Sequence, residues 1–281
     1  MLRVAIPNKG QLAEPAREML REAGYLRNSS ARELVVQDPA NDAEFFFLRP
    51  RDIATYVGSG KLDVGITGRD LLLDSGANAA VLIELGFGAA TFRLAVPAGS
   101  AATLADLAGR RIATSYPGVL AAHLAAHGVA ATIVRLDGAV ENAVRLGVAD
   151  AVADVVATGT TLRQAGLVVI DEPLLHSEAL LVQRVGAELD PAVDTFVRRL
   201  EGVLVARSYV LVDYDIRAES LDAACAITPG IESPTVSPLH DQGWVAVRAM
   251  VPVSDFNAVM DTLYDLGARG IIVTDIHACR L

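Results

Sequence analysis

Short runs rich in Val, Ile, Leu and Phe alternate along the chain with longer stretches whose apolar residues recur every three or four positions. LRVAIP (2–7) gives way to LAEPAREMLREAGY (12–25), and AEFFFL (43–48) is followed by RDIATYVGSG (51–60) and LDVGITG (62–68). Strand and helix periods in this order predict a parallel sheet with crossover helices. RDIATYVGSG reads as a short helix stopped by glycine, and LDVGITG as a buried strand that ends in a glycine turn.

A second series begins near FRLAVPAGS (92–100). It contains RIATSY, GVLAAHLAAHG, ATIVRL, AVENAVRLG and DAVADVVATG, read as strand, helix, strand, helix and strand. Its last run repeats an earlier one: in both 60–68 and 147–159 a glycine leads through an acid into a β-rich run that stops at a glycine turn. Two similar α/β lobes predict a cleft between them, with ligand at the carboxyl ends of the strands. The first lobe is expected over 1–90, completed by 184–208 with a long helix from Pro191 to about Ala206. The second spans 91–183. From Tyr209 the order becomes βαββαβ, a ferredoxin-like unit over 209–281.

Of the 281 residues 52% are apolar but only 5% aromatic, so the core must be built from Ala, Val, Leu and Ile. The formal net charge is −10, with both signs mixed along the chain, which disfavours nonspecific binding to nucleic acid or anionic lipid. Phosphate chemistry would need a local pocket. The opening MLRVAIPNKG has no export-signal pattern and no apolar run is long enough to span a bilayer, so a soluble cytoplasmic protein is expected. Cys225 and Cys279 lie far apart without a CxxC spacing, which gives no support for zinc or a disulfide framework.

The densest chemistry lies in DAVADVVATGTTLR (150–163). An apolar run holds one acid, Asp154, and ends in Thr158, Gly159, Thr160 and Thr161. Glycine lets backbone N–H groups approach a phosphate, threonines add hydroxyl donors, and a helix beginning at Thr160 would complete an anion cradle. Asp154, just before it, is placed to accept hydrogen bonds from ribose hydroxyls. In isolation the turn reads more simply as a strand-to-helix connection with threonine caps. The carboxylate inside the apolar run favours function, because an unpaired buried acid is costly.

These residues carry a resemblance. DAVADVVATGTTL resembles the phosphoribosyl pyrophosphate loop of the ATP phosphoribosyltransferase family, the first enzyme of histidine biosynthesis, in its long form with a C-terminal regulatory domain. LDGAVENAVRLGVADAVADVV, IPNKGQL, LRPRDIATYVGSGKLDVGITGRDLL and ITPGIESPTVSPL resemble its other segments. The fold class implied is α/β: a two-lobed, periplasmic-binding-protein-like core of type II plus the ferredoxin-like unit. The resemblance also implies transfer of phosphoribosyl to N1 of the ATP adenine, with release of pyrophosphate, dependence on Mg²⁺ and inhibition by histidine.

Carried onto this chain, Asp154, Val155, Ala157, Thr158, Gly159, Thr160 and Thr161 would bind phosphoribosyl pyrophosphate. Glu141 and Asp154 would face ribose or Mg²⁺. Lys9, Gly10, Arg49, Gly68, Asp70 and Tyr116 would form the ATP side, with Lys9, Arg49, Glu141 and Asp154 as the catalytic set. Asp215, Ile231, Ser233 and Thr235 would bind histidine, and dimers would assemble into a hexamer.

Simpler readings stand beside these. Lys9 is also a loop lysine, Arg49 also a partner for a surface acid, and Glu141 also one half of an i,i+4 pair with Arg145. Asp70 also fits a helix cap, and Tyr116 a turn seal. IESPTVS also reads as a proline bend into an edge strand. His123 and His127 share a helix face at metal spacing but lack an accompanying acid. The competing function class is a non-catalytic small-molecule sensor that binds an amino acid.

Overall fold

The computed structural model describes residues 1–26, 33–156, 159–188 and 190–280. They fall into two compact units, one of residues 1–21 and 25–197 and one of 22–24 and 198–280.

The first unit holds two sheets. In chain order its elements begin β1 (Leu2–Pro7), α1 (Ala13–Glu22), β2 (Val35–Asp38), β3 (Ala43–Leu48), α2 (Pro50–Gly58), β4 (Val64–Gly68), α3 (Arg69–Ser75) and β5 (Ala79–Glu84). Then follow β6 (Ala90–Pro97), β7 (Arg111–Thr114), α4 (Pro117–Ala126), β8 (Thr132–Arg135), α5 (Asn142–Arg145), β9 (Ala151–Val156), α6 (Thr160–Gln164), β10 (Leu167–Ser177), β11 (Ala179–Arg184) and α7 (Pro191–Ser208). One sheet runs β2-β3-β1-β4-β11-β5 and the other β10-β6-β9-β7-β8.

Apart from edge strand β2, the two sheets have one plan. Three parallel strands (β3, β1, β4 and β8, β7, β9) are followed by one antiparallel strand, β11 or β6, and then by a last strand, β5 or β10. In each sheet the antiparallel strand is the one the chain enters after leaving the other. This is the type II periplasmic-binding-protein arrangement. The parallel expectation therefore holds for the first three strands of each sheet and fails at the crossing strand.

The crossing also corrects a boundary. The sequence pattern puts residues 179–183 in the second lobe, but β11 pairs with β4 and β5 of the first sheet. Only Glu178 separates the end of β10 from the start of β11. ALLVQR is an apolar run that suits either sheet, so only pairing reveals which one it joins.

The aliphatic composition explains the layering. β4 is buried along its whole length, as a strand covered on both faces must be. On β9, Ala151 and Ala153 pack with Phe92, Leu94 and Leu120, while Val152 packs with Val140, Ala143 and Leu162 on the opposite face. Alternation therefore turns Asp154 to the Val152 face, the one covered by α5 and α6.

The second unit contains the end of α7 and then β12 (Tyr209–Arg217), α8 (Leu221–Ile227), β13 (Thr235–Pro238), β14 (Trp244–Pro252), α9 (Phe256–Asp265) and β15 (Arg269–Asp275). Its antiparallel sheet has the order β13-β14-β12-β15, the ferredoxin-like plan. Val210, Val212, Tyr214 and Ile216 alternate into its core, and the Tyr214 hydroxyl is paired 2.7 Å from Thr228 Oγ1.

Candidate active site

A cleft of about 560 Å³ opens in the first unit, at the carboxyl ends of the central strands of both sheets. From the first sheet it takes the turn after β1, with Lys9, Gly10 and Leu12, the start of α2, with Arg49 and Arg51, and the β4–α3 turn, with Gly68 and Asp70. Tyr116, Arg135, Asp137 and Val155 come from the second sheet, and Gly88, Ala90 and Ser177 from the two crossings. Lys9 and Arg49 are exposed cations, and no carboxylate among the described residues pairs with either. The surface-pair reading of Arg49 is thus unsupported.

Asp70 is buried at the start of α3, yet its side chain does not cap that helix. Its Oδ1 instead accepts the Ser177 hydroxyl at 2.7 Å, while Ser177 Oγ accepts the Asp70 backbone N–H at 3.0 Å. The Tyr116 hydroxyl faces the Asp70 carboxylate. Burial first, and then this carboxylate, holds the Tyr116 phenol well above its ordinary range, so it stays a neutral donor. Its ring packs edge-on to Phe92 at 5.5 Å, and the Arg51 guanidinium lies 5.2 Å from the ring centroid. Tyr116 thereby ties the two sheets together, which goes beyond sealing a turn.

Asp154 occupies a different environment. Its Oδ1 accepts the Val155 N–H at 2.8 Å, and no side-chain cation among the described residues pairs with it. Arg93, opposite it on β6, sends its guanidinium to Thr91 Oγ1 and the Asp171 carbonyl. Burial pushes the Asp154 carboxyl up to about 6; the Val155 N–H opposes this, and the charges of Glu141 and Asp70 add to it.

Glu141 sits just before α5 and forms no ion pair with Arg145. Both line a second hollow of about 420 Å³ with Thr161 and Gln164. Gly159 precedes α6 at φ +70°, a conformation that favours glycine, and Arg163 Nη2 donates to Thr160 Oγ1 at 3.2 Å. Thr161 is exposed. Ala157 and Thr158, both expected in the phosphate loop, lie outside the described residues.

The expected site residues therefore divide between two hollows. Lys9, Gly10, Arg49, Gly68, Asp70, Tyr116 and Val155 line the cleft, while Glu141 and Thr161 line the second hollow. Asp154 lines neither hollow, and the charges of Glu141 and Asp70 both act on it. Arg51 and Ser177 were not singled out from the sequence. RPR offered two arginines, and nothing local marks a serine 107 positions from Asp70 as its partner.

In the second unit Asp215 does not meet Thr235. Thr235 pairs with Arg248 on β14, and Arg248 pairs with Asp213, two residues before Asp215. With β14 between them, β12 and β13 are about 10 Å apart at two strand spacings. Ile231, Ser233 and Thr235 are exposed, and Asp215 is half-buried with Oδ2 beside Gly270. His123 on α4 and His127 just past its end have ring centroids 4.2 Å apart, and the described residues contain no group of three potential metal ligands.

Comparison with known proteins decides the family. The family model described as ATP phosphoribosyltransferase matches residues 49–202, and that described as HisG, C-terminal domain, matches 206–278. The chain belongs to the ATP phosphoribosyltransferase family. It is 60% identical over 285 residues to the ATP phosphoribosyltransferase of Streptomyces coelicolor and 62% identical over 281 to that of Salinispora tropica, with 100% of both chains covered in each case. Among solved structures it is similar to an ATP phosphoribosyl transferase (HisG:HisZ) complex from Thermotoga maritima. That match has a TM-score of 0.64 and 27% identity, and covers 73% of this chain and 98% of that one.

The long-form enzyme, with its C-terminal domain, is thus the architecture present, and its activity is the transferase step of histidine biosynthesis. The sensor alternative falls with this. No helix among the described residues is long and apolar enough to cross a membrane.

Proposed function

We propose that the cleft brings the two substrates together from opposite sheets. Lys9 and Arg49 hold ATP phosphates, and the adenine lies toward Asp70 and Tyr116, with N1 facing the ribose. Phosphoribosyl pyrophosphate sits at the end of β9, its 5-phosphate held by Thr158, Gly159, Thr160 and Thr161 and its ribose hydroxyls by Asp154. The adenine N1 is itself the nucleophile, so the protein need not provide one. Its task is to align N1 with the ribose carbon and to stabilise the charge of departing pyrophosphate.

Asp154 is the observation that carries this reading. A carboxyl lifted to about 6, beside a second carboxylate and without a cationic partner, is costly in the free protein and gains from ribose donors or a divalent cation. Mg²⁺ characteristically takes one or two protein carboxylates and completes its shell with water and substrate phosphates. Glu141 and Asp154 fit that donor set. Bound there, Mg²⁺ would supply charge neutralisation at the leaving pyrophosphate.

The same reading places histidine on the ferredoxin-like unit, at Asp215, Ile231, Ser233 and Thr235. It takes the working form to be cytoplasmic and a hexamer assembled from dimers. Since Asp215 and Thr235 lie two strands apart, histidine would contact one of these groups at a time within a single sheet.

The test is product absorbance from ATP, phosphoribosyl pyrophosphate and Mg²⁺ with pyrophosphatase present. Chelation should stop turnover, Mg²⁺ should restore it, and histidine should suppress it in the parent but less in Asp215→Ala. Full activity in chelator would remove the metal assignment. Equal inhibition of parent and variant would remove the Asp215 assignment.

A further inference from the structure

Away from the substrate-facing groups, a compact polar joint connects the two sheets beside the cleft. Asp74, on α3, has a side chain only 7% exposed. Its Oδ2 is 2.8 Å from Arg51 Nη1, and its Oδ1 accepts the backbone N–H groups of Gly118 at 2.7 Å and Val119 at 3.3 Å. Those N–H groups belong to the first turn of α4, which has no intrahelical partner for them and favours an anion. Arg51 Nη2 donates to the Ser115 carbonyl at 2.7 Å, and the same guanidinium lies over the Tyr116 ring. Every residue from Ser115 to Val119 except Pro117 is thus gripped from the first sheet.

We infer that Asp74 is a positioning residue for the transferase reaction. Through Arg51 and the first turn of α4 it fixes where Tyr116, and with it the second sheet, stands across the cleft from Lys9, Arg49 and Asp70. It touches no substrate. Gly118 is part of the device, because a Cβ there would lie 2.6 Å from the Asp74 backbone carbonyl and 3.2 Å from its Oδ1. Only a residue without a side chain lets α3 and α4 approach this closely.

Each sheet keeps its own substrate contacts when the joint is broken, so binding of either substrate should survive while alignment of the reacting atoms is lost. Misplacement by about 1 Å costs on the order of 100-fold in rate. Three variants test this: Asp74→Ala, Gly118→Ala and Asp74→Asn, the last of which retains an oxygen acceptor for the Gly118 N–H. Steady-state constants for both substrates would be measured per folded molecule, well below each variant's melting temperature, together with the Asp74→Ala/Gly118→Ala double variant.

The expected result is a fall in kcat of about tenfold or more for Asp74→Ala and for Gly118→Ala, with both KM values within about twofold of the parent. The double variant should be no worse than the weaker single variant, because both open one joint, and Asp74→Asn should recover part of kcat, since it keeps the acceptor for the Gly118 N–H but turns an amide donor toward Arg51. Parental kcat in folded Gly118→Ala overturns the inference. So do losses that multiply in the double variant, or a rise in KM with kcat unchanged. If Asp74→Ala does not fold, Gly118→Ala and Asp74→Asn decide alone.

Discussion

The turns that follow β4 and β9 occupy the same place in their respective sheets, and each joins an acid, a glycine and the start of a helix. Their energetics are opposite. After β4 the acid comes behind the glycine: Asp70 is buried, accepts the Ser177 hydroxyl, and faces Tyr116 of the other sheet. After β9 the acid comes ahead of the glycine: Asp154 accepts one N–H from its neighbour, has no cationic partner among the described residues, and is pushed up to about 6. The first turn has its polar groups satisfied by the protein, while the second leaves an acid whose satisfaction needs something from outside. A repeated topology has thus produced one turn whose acid is satisfied by the protein and one whose acid is not.

Removing Asp154 should break this comparison most strongly. Asp154→Asn should lower kcat roughly 100-fold or more, the scale of losing one charge-stabilising group in an active site. It should also make the substrate-free protein more stable at pH 7, by about 3 kcal/mol, because a carboxyl lifted from 3.8 to about 6 opposes folding once ionised. The folded state holds its proton between those two values. Stability from this group is therefore complete below about pH 4 and lost as pH rises through about 6. Chemical denaturation at pH 5 and pH 8 checks the sign, and a less stable Asn variant at pH 8 would contradict it.

The glycines sharpen the contrast next. Gly68 has an extended backbone, φ −85°, and is small because a Cβ would overlap Asp70 Oδ1. Gly159 is in the left-handed region, and the atom nearest an added Cβ is the far end of the Arg163 side chain at 3.1 Å. Gly68→Ala should therefore cost about 2–3 kcal/mol through overpacking around a buried hydrogen-bonded acid, and Gly159→Ala about 1 kcal/mol of backbone strain. Melting curves of the two variants rank them, and the reverse order would mean that Asp70 moves aside freely.

How much of this contrast was legible follows from the range of each interaction. Strand β9, its acid and its glycine stop are consecutive residues, and the parallel with 60–68 is visible as a repeated pattern. What satisfies each acid is not. Ser177 lies 107 residues beyond Asp70, and Tyr116 comes from the other sheet. Arg49 and Arg51 flank Pro50 and look equivalent, yet Arg49 remains without a carboxylate while Arg51 is taken up by Asp74 and Ser115. Helix periodicity was misleading at AVENAVRLG, of which only Asn142–Arg145 is helical. Ala139 there has φ +50°, which no count of apolar residues discloses.

Ser177→Ala would make the first turn resemble the second. It removes the hydroxyl that donates to Asp70 Oδ1 and accepts the Asp70 N–H, leaving a buried acid with one fewer partner. The expected loss is about 1–3 kcal/mol, the cost of an unsatisfied buried group. Denaturation with and without ATP separates a purely structural loss, equal in both, from one that also weakens the nucleotide side of the cleft.

The smallest effect probes how much of the state of Asp154 comes from its neighbour. If the ionised carboxylate is the working form, kcat/KM should fall as pH drops through about 6 in the free enzyme. Burial is the main cause of that elevation, and the negative charge of Glu141 adds to it. Glu141→Gln removes the charge while keeping the shape, so the ionised form of Asp154 becomes easier to reach and the acid limb should move to lower pH. The displacement should be a fraction of a unit, because burial remains and Asp70 still contributes. A limb that stays in place would assign it to another group, and a limb that moves upward would mean that Glu141 assists ionisation of Asp154, the opposite of what two like charges do.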